Sequence, residues 1–175
     1  MKRKRTGRQP ALLKMVMVAL FVVLLIVWGM TALAVGDERW FLPVFSADAA
    51  SFDLYWDGEV ARLEEGSDGY VLLNEALHQD LARVQSYSNM SGLSEETLDT
   101  LKAEGRLLVA RYDEPARIHS WYAFGASKIL YIPLSGYHTS QDRVFNAARG
   151  APLEMRSLDR VRDAAETVAQ QEGLE

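Results

Sequence analysis

Cysteine is absent from this sequence of 175 residues. Its absence excludes disulfide bonds, thiolate nucleophiles, iron–sulfur clusters and zinc sites with cysteine ligands. The three histidines do not stand at the spacing of a helical zinc motif, and the sequence has no EF-hand pattern and no glycine-rich phosphate loop. We therefore predict no metal and no cofactor.

Charge is absent from one long run, which extends from Met15 to Val35 and reads MVMVALFVVLLIVWGMTALAV. At about 1.5 Å per residue, a helix of this length spans about 31 Å, close to the thickness of the hydrocarbon core of a bilayer. The run therefore predicts a single transmembrane helix, with the lipid bilayer as its partner. Trp28 lies within this run, and Trp40 and Phe41 follow it, where aromatic rings favour the membrane interface.

Acidic residues are absent from residues 1–14, which carry six of the 19 Lys and Arg residues. Short basic flanks of a transmembrane helix stay in the cytoplasm, so residues 1–14 are predicted to be a cytoplasmic tail and the C-terminal part to lie outside. The predicted location is the cell membrane, with an uncleaved signal-anchor. The alternative is a signal peptide cleaved after Ala34, but the apolar run is longer than the roughly 7–15 residues usual for one.

The rest of the chain is acidic. Residues 36–175 hold the other 13 basic residues and all 24 acidic residues, a net charge of −11. This excess argues against a nucleic-acid partner, which requires a basic surface, and against a domain that lies on anionic lipid. Residues 36–51 contain Pro43 and show no clear period, so we predict a juxtamembrane linker there and one domain over residues 52–175.

The predicted domain begins with a hairpin. Asp57-Gly58 separates two β-prone runs, which indicates a type I′ turn between strands at residues 52–56 and 59–63. An apolar stripe then predicts a helix from Ser67 or Asp68 to about Tyr87, and Ser94 is predicted to begin a shorter helix.

The second half alternates short strands and turns. The apolar patterns predict strands at residues 106–112, 117–124, 128–134, 143–148 and 153–156, with turns at residues 113–115 and 125–127. A last helix is predicted after Ser157 as its N-cap. Short turns favour antiparallel pairing, and about three helices packed on one face of such a sheet give an α+β domain.

Candidate chemistry is confined to the polar loop of residues 135–142, where nucleophile, base and acid types occur together. No Gly-x-Ser-x-Gly elbow surrounds its serines, and a Ser–His–Asp device also needs an oxyanion hole. The loop follows a strongly apolar strand that would hold its base rigidly. We therefore predict no catalytic residues and a possible recognition loop formed by Ser135, Tyr137, His138 and Asp142.

These features leave three functions open. The favoured one is a membrane-anchored extracytoplasmic domain without enzymatic activity, which binds or assists another envelope or membrane protein. The first alternative is a small anchored hydrolase that uses the loop of residues 135–142. The second is a secreted binding protein, which requires cleavage after Ala34.

Overall fold

The computed structural model describes residues 9–147 and 151–174. Most of the predicted basic tail, residues 1–14, lies outside the described residues. The described part contains four helices and seven strands: α1 (Gln9–Val35), β1 (Ser51–Trp56), β2 (Glu59–Glu64), α2 (Asp68–Asp80), β3 (Val84–Tyr87), α3 (Glu95–Ala103), β4 (Arg106–Ala116), β5 (Ser127–Pro133), β6 (Arg143–Asn146), β7 (Leu153–Met155) and α4 (Asp159–Glu172).

Helix α1 is apolar on all sides. Its stretch Leu12–Val35 is the one described helix that is long and apolar enough to cross a membrane, by length and composition. Only 6% of its most apolar window is buried against the rest of the chain. A helix that is apolar all round and uncovered by its own chain requires another apolar environment.

The strands form one antiparallel sheet in the order β2-β1-β4-β5-β6-β7-β3. Short connections produce this pairing, as predicted, and the α+β class is confirmed. The predicted hairpin is also present, because Asp57 and Gly58 have φ angles of 50° and 96° at the turn between β1 and β2. The central strand β5 ends at Pro133, which pairs with Leu107 of β4. The neighbouring bond to β4 is donated by Leu134 N to the carbonyl of Arg106 at 2.8 Å, so Pro133 stands at a position of the pair that needs no N–H donor.

Both faces of the sheet are covered. Alternate residues of β4 divide between two cores, with Leu108 and Ala110 in the larger one and Leu107 and Val109 in the smaller one. Helices α2 and α4 contribute to the larger core, as predicted for one face. Helix α3 contributes Leu101 to the smaller core, so it covers the opposite face rather than joining the other two helices.

Two predicted elements differ from the structure. The first is the helix expected to reach Tyr87, which ends at Asp80 and is followed by strand β3. Val84 and Tyr87 pair instead with Met155 and Leu153 of β7, a partner distant in sequence. A long-range ladder has therefore overridden the local helical period.

The second is the strand predicted at residues 117–124, which is a loop. Its burial alternates as expected, with Ile118, Ser120 and Phe124 buried and Trp121 exposed. Strand β4, however, continues through the predicted turn of residues 113–115 to Ala116 by means of a register shift. The next strand to pair with it begins only at Ser127, so residues 117–124 have no ladder partner.

Serine N-caps are present at two of the three predicted positions. Ser67 Oγ accepts from Tyr70 N at 3.3 Å, and Ser94 Oγ accepts from Thr97 N at 3.1 Å. Ser157 was predicted to be the N-cap of α4, but Leu158 holds that position without a side-chain cap. Ser157 Oγ nevertheless accepts from Asp159 N, the first residue of α4, at 3.0 Å. Carboxylates from distant parts of the chain accept from Leu158 N and from Val161 N in the first turn.

Candidate functional site

The predicted recognition loop is built into the fold through its two ends. Ser135 Oγ accepts a hydrogen bond from Arg106 N at 2.8 Å. Asp142 Oδ1 accepts from Leu158 N at 3.1 Å and from Arg162 Nη1 at 2.7 Å. Both side chains therefore hold the loop against β4 and α4.

The middle of the loop surrounds a buried arginine. Arg143 is 4% exposed, forms an ion pair with Glu154 at 3.2 Å and lies over the ring of Tyr137, 5.5 Å from its centroid. His138 Nδ1 faces Arg143 Nη1 at 3.3 Å, and its ring meets that of Phe145 edge to face. Burial, followed by the positive charge of Arg143, lowers the pKa of His138 below its usual value.

This geometry does not support nucleophilic catalysis. His138 faces a guanidinium where a triad needs a carboxylate, and Asp142 accepts its hydrogen bonds from α4. Ser135 Oγ is engaged with the main chain of β4. Of the four predicted loop residues, Tyr137 is the one with a largely exposed side chain, at 64%.

A different cluster joins the end of α1 to the domain. Trp28 Nε1 donates to the carbonyl of Glu38 at 3.2 Å, so the chain after α1 folds back along its last turns. His119 Nδ1 lies 2.8 Å from Asp37 Oδ2, and Arg117 Nη1 donates to the carbonyl of Gly36 at 2.8 Å. We call these three contacts the helix-end clasp.

Within the clasp, the contact between His119 and Asp37 is largely shielded from water, whereas the bonds of Trp28 and Arg117 are exposed. The side chain of Asp37 is 5% exposed and that of His119 is 19% exposed. Water screens an ion pair or hydrogen bond only weakly at such a position. Removing one partner leaves the other buried without a hydrogen-bond partner or an opposite charge. The clasp therefore fixes the direction in which the domain projects from α1.

The predicted linker, residues 36–51, contains no helix or strand before Ser51, where β1 begins, and it is packed on the domain. Phe45 belongs to the larger core, and Tyr70 of α2 donates its hydroxyl to the carbonyl of Ala49 at 2.6 Å. Asn74 Nδ2 donates to Asp48 Oδ1 at 2.7 Å. The domain therefore has no free tether to α1.

A groove of about 490 Å³ lies beside the clasp. Four parts of the chain line it, namely residues 40–43, residues 82–85, residues 119–122 and Arg156. Its wall contains a tryptophan pair, in which the rings of Trp40 and Trp121 are 4.0 Å apart at 62°. We call this concavity the helix-end groove.

The charge of the helix-end groove is opposite to that of the domain. Its lining includes Arg83 and Arg156 but no aspartate or glutamate. The main chains of the two arginines are bonded, since Arg156 N donates to the carbonyl of Arg83 at 2.8 Å. Neither arginine forms an ion pair within the part of the chain that the structure describes.

One residue of the groove wall contains an unsatisfied donor. Trp40 is 8% exposed, and its buried Nε1 has no hydrogen-bond partner in the described structure. A buried N–H group without a partner costs about 1–3 kcal/mol of stability.

Sequence analysis noted Trp40 and Phe41 as interfacial aromatics but missed the groove that they help to form. Arg83 stood inside a predicted helix, and Trp121 stood on a predicted strand. No local sequence pattern predicts that these residues meet, because the groove depends on the pairing of β3 with β7 and on the clasp at Asp37.

Metal chemistry has no candidate among residues 9–147 and 151–174, which contain no group of three or more His, Asp or Glu side chains placed to hold an ion. Comparison with protein-family models, with curated proteins and with solved structures finds no match for this chain.

Proposed function

We propose that this protein is a single-pass membrane protein with a cytoplasmic N-terminus and an extracytoplasmic α+β domain that binds another envelope or membrane component. The observation that carries the proposal is the helix-end clasp. It holds the domain directly on the end of a helix suited in length and composition to a bilayer. A domain held in this way presents a fixed surface at the membrane.

The clasp favours an uncleaved anchor over a secreted protein. Cleavage after Ala34 would remove Trp28, whose indole bonds to Glu38, and Ala32, which is 9% exposed. Ala32 also accepts, through its carbonyl, the hydrogen bond of Asp37 N at 3.1 Å. The contacts on both sides of the cleavage position thus support retention of α1.

The hydrolase alternative has little support, because the polar atoms of Ser135 and Asp142 serve the fold and His138 faces Arg143. The binding role fits the exposed Tyr137 and the helix-end groove better. A component of the same membrane would meet both α1 and the groove beside it.

Topology tests the proposal first. With the full chain produced in a bacterial host, protease added to intact spheroplasts should remove the domain, and the N-terminal tail should be reached only after lysis. The mature N-terminus, read by sequencing, should precede Leu12. Protection of the domain until lysis would reverse the orientation, and a mature chain that begins at Val35 would establish secretion.

A further inference from the structure

We propose that the helix-end groove is a binding site for the phosphate group of a membrane phospholipid. The inference rests on the proposed membrane anchoring and adds the ligand of the groove. Phosphate diesters are the anions found at the surface of every phospholipid bilayer, and the groove adjoins the end of the helix proposed to leave that bilayer.

The first support is the pair of free arginines. Arg62, Arg106, Arg111, Arg143, Arg160 and Arg162 each form an ion pair with an acidic side chain. Arg83 and Arg156 form none in the described structure, although the domain is rich in acid. Arg39 and Arg117 also form none there, but they lie outside the groove lining. Arg83 directly precedes β3 and Arg156 directly follows β7, and both side chains are exposed beside each other's main chain. An anion between two such like charges offsets their repulsion.

The second support is the absence of aspartate and glutamate from the groove lining, so no carboxylate of the lining neutralises the two guanidinium groups. Paired guanidinium groups suit the oxygen atoms of a phosphate.

The third support is the apolar rim. Phe41 is 51% exposed, Leu42 is 39% exposed and Trp121 is 65% exposed. Exposed rings beside a membrane anchor prefer the headgroup level, where they contact the glycerol and upper acyl regions of lipid. A free phosphate ion would leave this rim unused, which favours the lipid as the source of the phosphate.

The net charge of −11 for residues 36–175 argues against a domain lying flat on anionic lipid. That argument concerns the average surface and not a groove without acidic residues. Salt screens charges beyond about 8–10 Å at physiological ionic strength, so the two local arginines dominate at the phosphate.

The test uses the full chain in nanodiscs of phosphatidylcholine that contain a minor fraction of phosphatidylglycerol with a photoreactive headgroup. Peptide mapping should find cross-links at residues 40–43 and 119–122. At the same lipid composition, the double variant Arg83→Gln/Arg156→Gln should give about tenfold less cross-linking at these residues, as expected for the loss of charge-assisted hydrogen bonds.

A matched control variant defines the site. Arg62→Gln/Lys128→Gln removes the same charge from positions outside the groove lining and should leave cross-linking unchanged. Equal cross-linking in the two double variants, or cross-links confined to α1, would overturn the lipid site and leave the groove to a protein segment.

Competition with inorganic phosphate distinguishes the two sources of the anion. Inorganic phosphate, added at constant ionic strength, should not reduce cross-linking, whereas effective competition would identify a site for free phosphate and overturn the proposal.

Co-elution of the chain with the nanodiscs is measured before any cross-linking. A chain that fails to enter them contradicts the anchoring itself and the lipid site with it, whereas one that enters without groove cross-links contradicts the lipid site alone.

Discussion

Single carboxylates determine how the last helix is placed. Asp80 at the end of α2 is 2% exposed and accepts from Val161 N at 3.2 Å and from Arg160 Nη1 at 3.0 Å. Asp142 accepts from Leu158 N. Negative charge near a helix N-terminus is favourable, and these two residues supply it from distant parts of the chain. Sequence analysis assigned the cap to Ser157, whose Oγ accepts from Asp159 N, and missed the two carboxylates because a distant acceptor leaves no local signal.

Asp142 should therefore affect stability and not catalysis. Asp142→Ala removes the acceptor of two donors and places alanine at a φ of 48°, so the free energy of unfolding should fall by about 2–3 kcal/mol. Asp142→Asn keeps one acceptor oxygen and tolerates the left-handed conformation, so its free energy of unfolding should fall by less. Denaturant titration of the full chain in detergent measures both, and equal losses would contradict the assigned role.

His138 should make stability depend on pH. Burial and Arg143 lower its pKa in the folded state, so the unfolded chain takes up a proton first as the pH falls. The contribution of His138 to the free energy of unfolding should be complete above its unfolded pKa of about 6.5. It should decline as the pH falls from there towards the lower pKa of His138 in the folded state. His138→Gln, which keeps an acceptor for Arg143, should lack this component. An identical pH profile for both proteins would contradict it.

At the scale of elements, the local sequence patterns correctly predicted the turns, caps and strands that depend on neighbouring residues in the chain. The Asp57-Gly58 turn, the caps at Ser67 and Ser94 and the apolar strand β5 are all present. Elements that depend on a distant partner were not predictable. Strand β3 exists because β7 pairs with it.

The first hairpin offers a sharp test of packing between elements. Gly58 has a φ of 96°, and a Cβ added there would lie 2.9 Å from the carbonyl oxygen of Ala103 at the end of α3. Gly66 has a φ of 88° with no atom within 4 Å of such a Cβ. Both changes to alanine should cost about 1–2 kcal/mol for the left-handed backbone, and Gly58→Ala should cost more.

Denaturant titration of the two glycine variants measures the difference. Since both variants have the same kind of backbone strain, the additional loss of unfolding free energy in Gly58→Ala measures the contact between the hairpin and α3. Equal losses would show that α3 is not held against the turn.

At the scale of the whole molecule, sequence analysis predicted an apolar helix followed by an acidic α+β domain, and both are present. It described residues 36–51 as a linker because their composition lacks a period. Their order comes from contacts with α2 and with the loop of residues 117–124, and no local pattern encodes those contacts. The direction of the domain on its helix is therefore visible only in three dimensions.

The helix-end clasp is the central claim, and the absence of native cysteine allows it to be measured directly. The double variant Asp37→Cys/His119→Cys places two thiols where the side chains are now 2.8 Å apart, while the bonds of Arg117 and Trp28 remain to hold the segment. Asp37→Cys/Val60→Cys is the matched control, since Val60 is 56% exposed on β2 at the other edge of the sheet. The full chain in native membranes is treated with a short bis-maleimide, and its intact mass is determined. The clasp predicts one linker per chain in the first variant and two in the control, whereas two linkers in both would show a domain that moves freely on its helix.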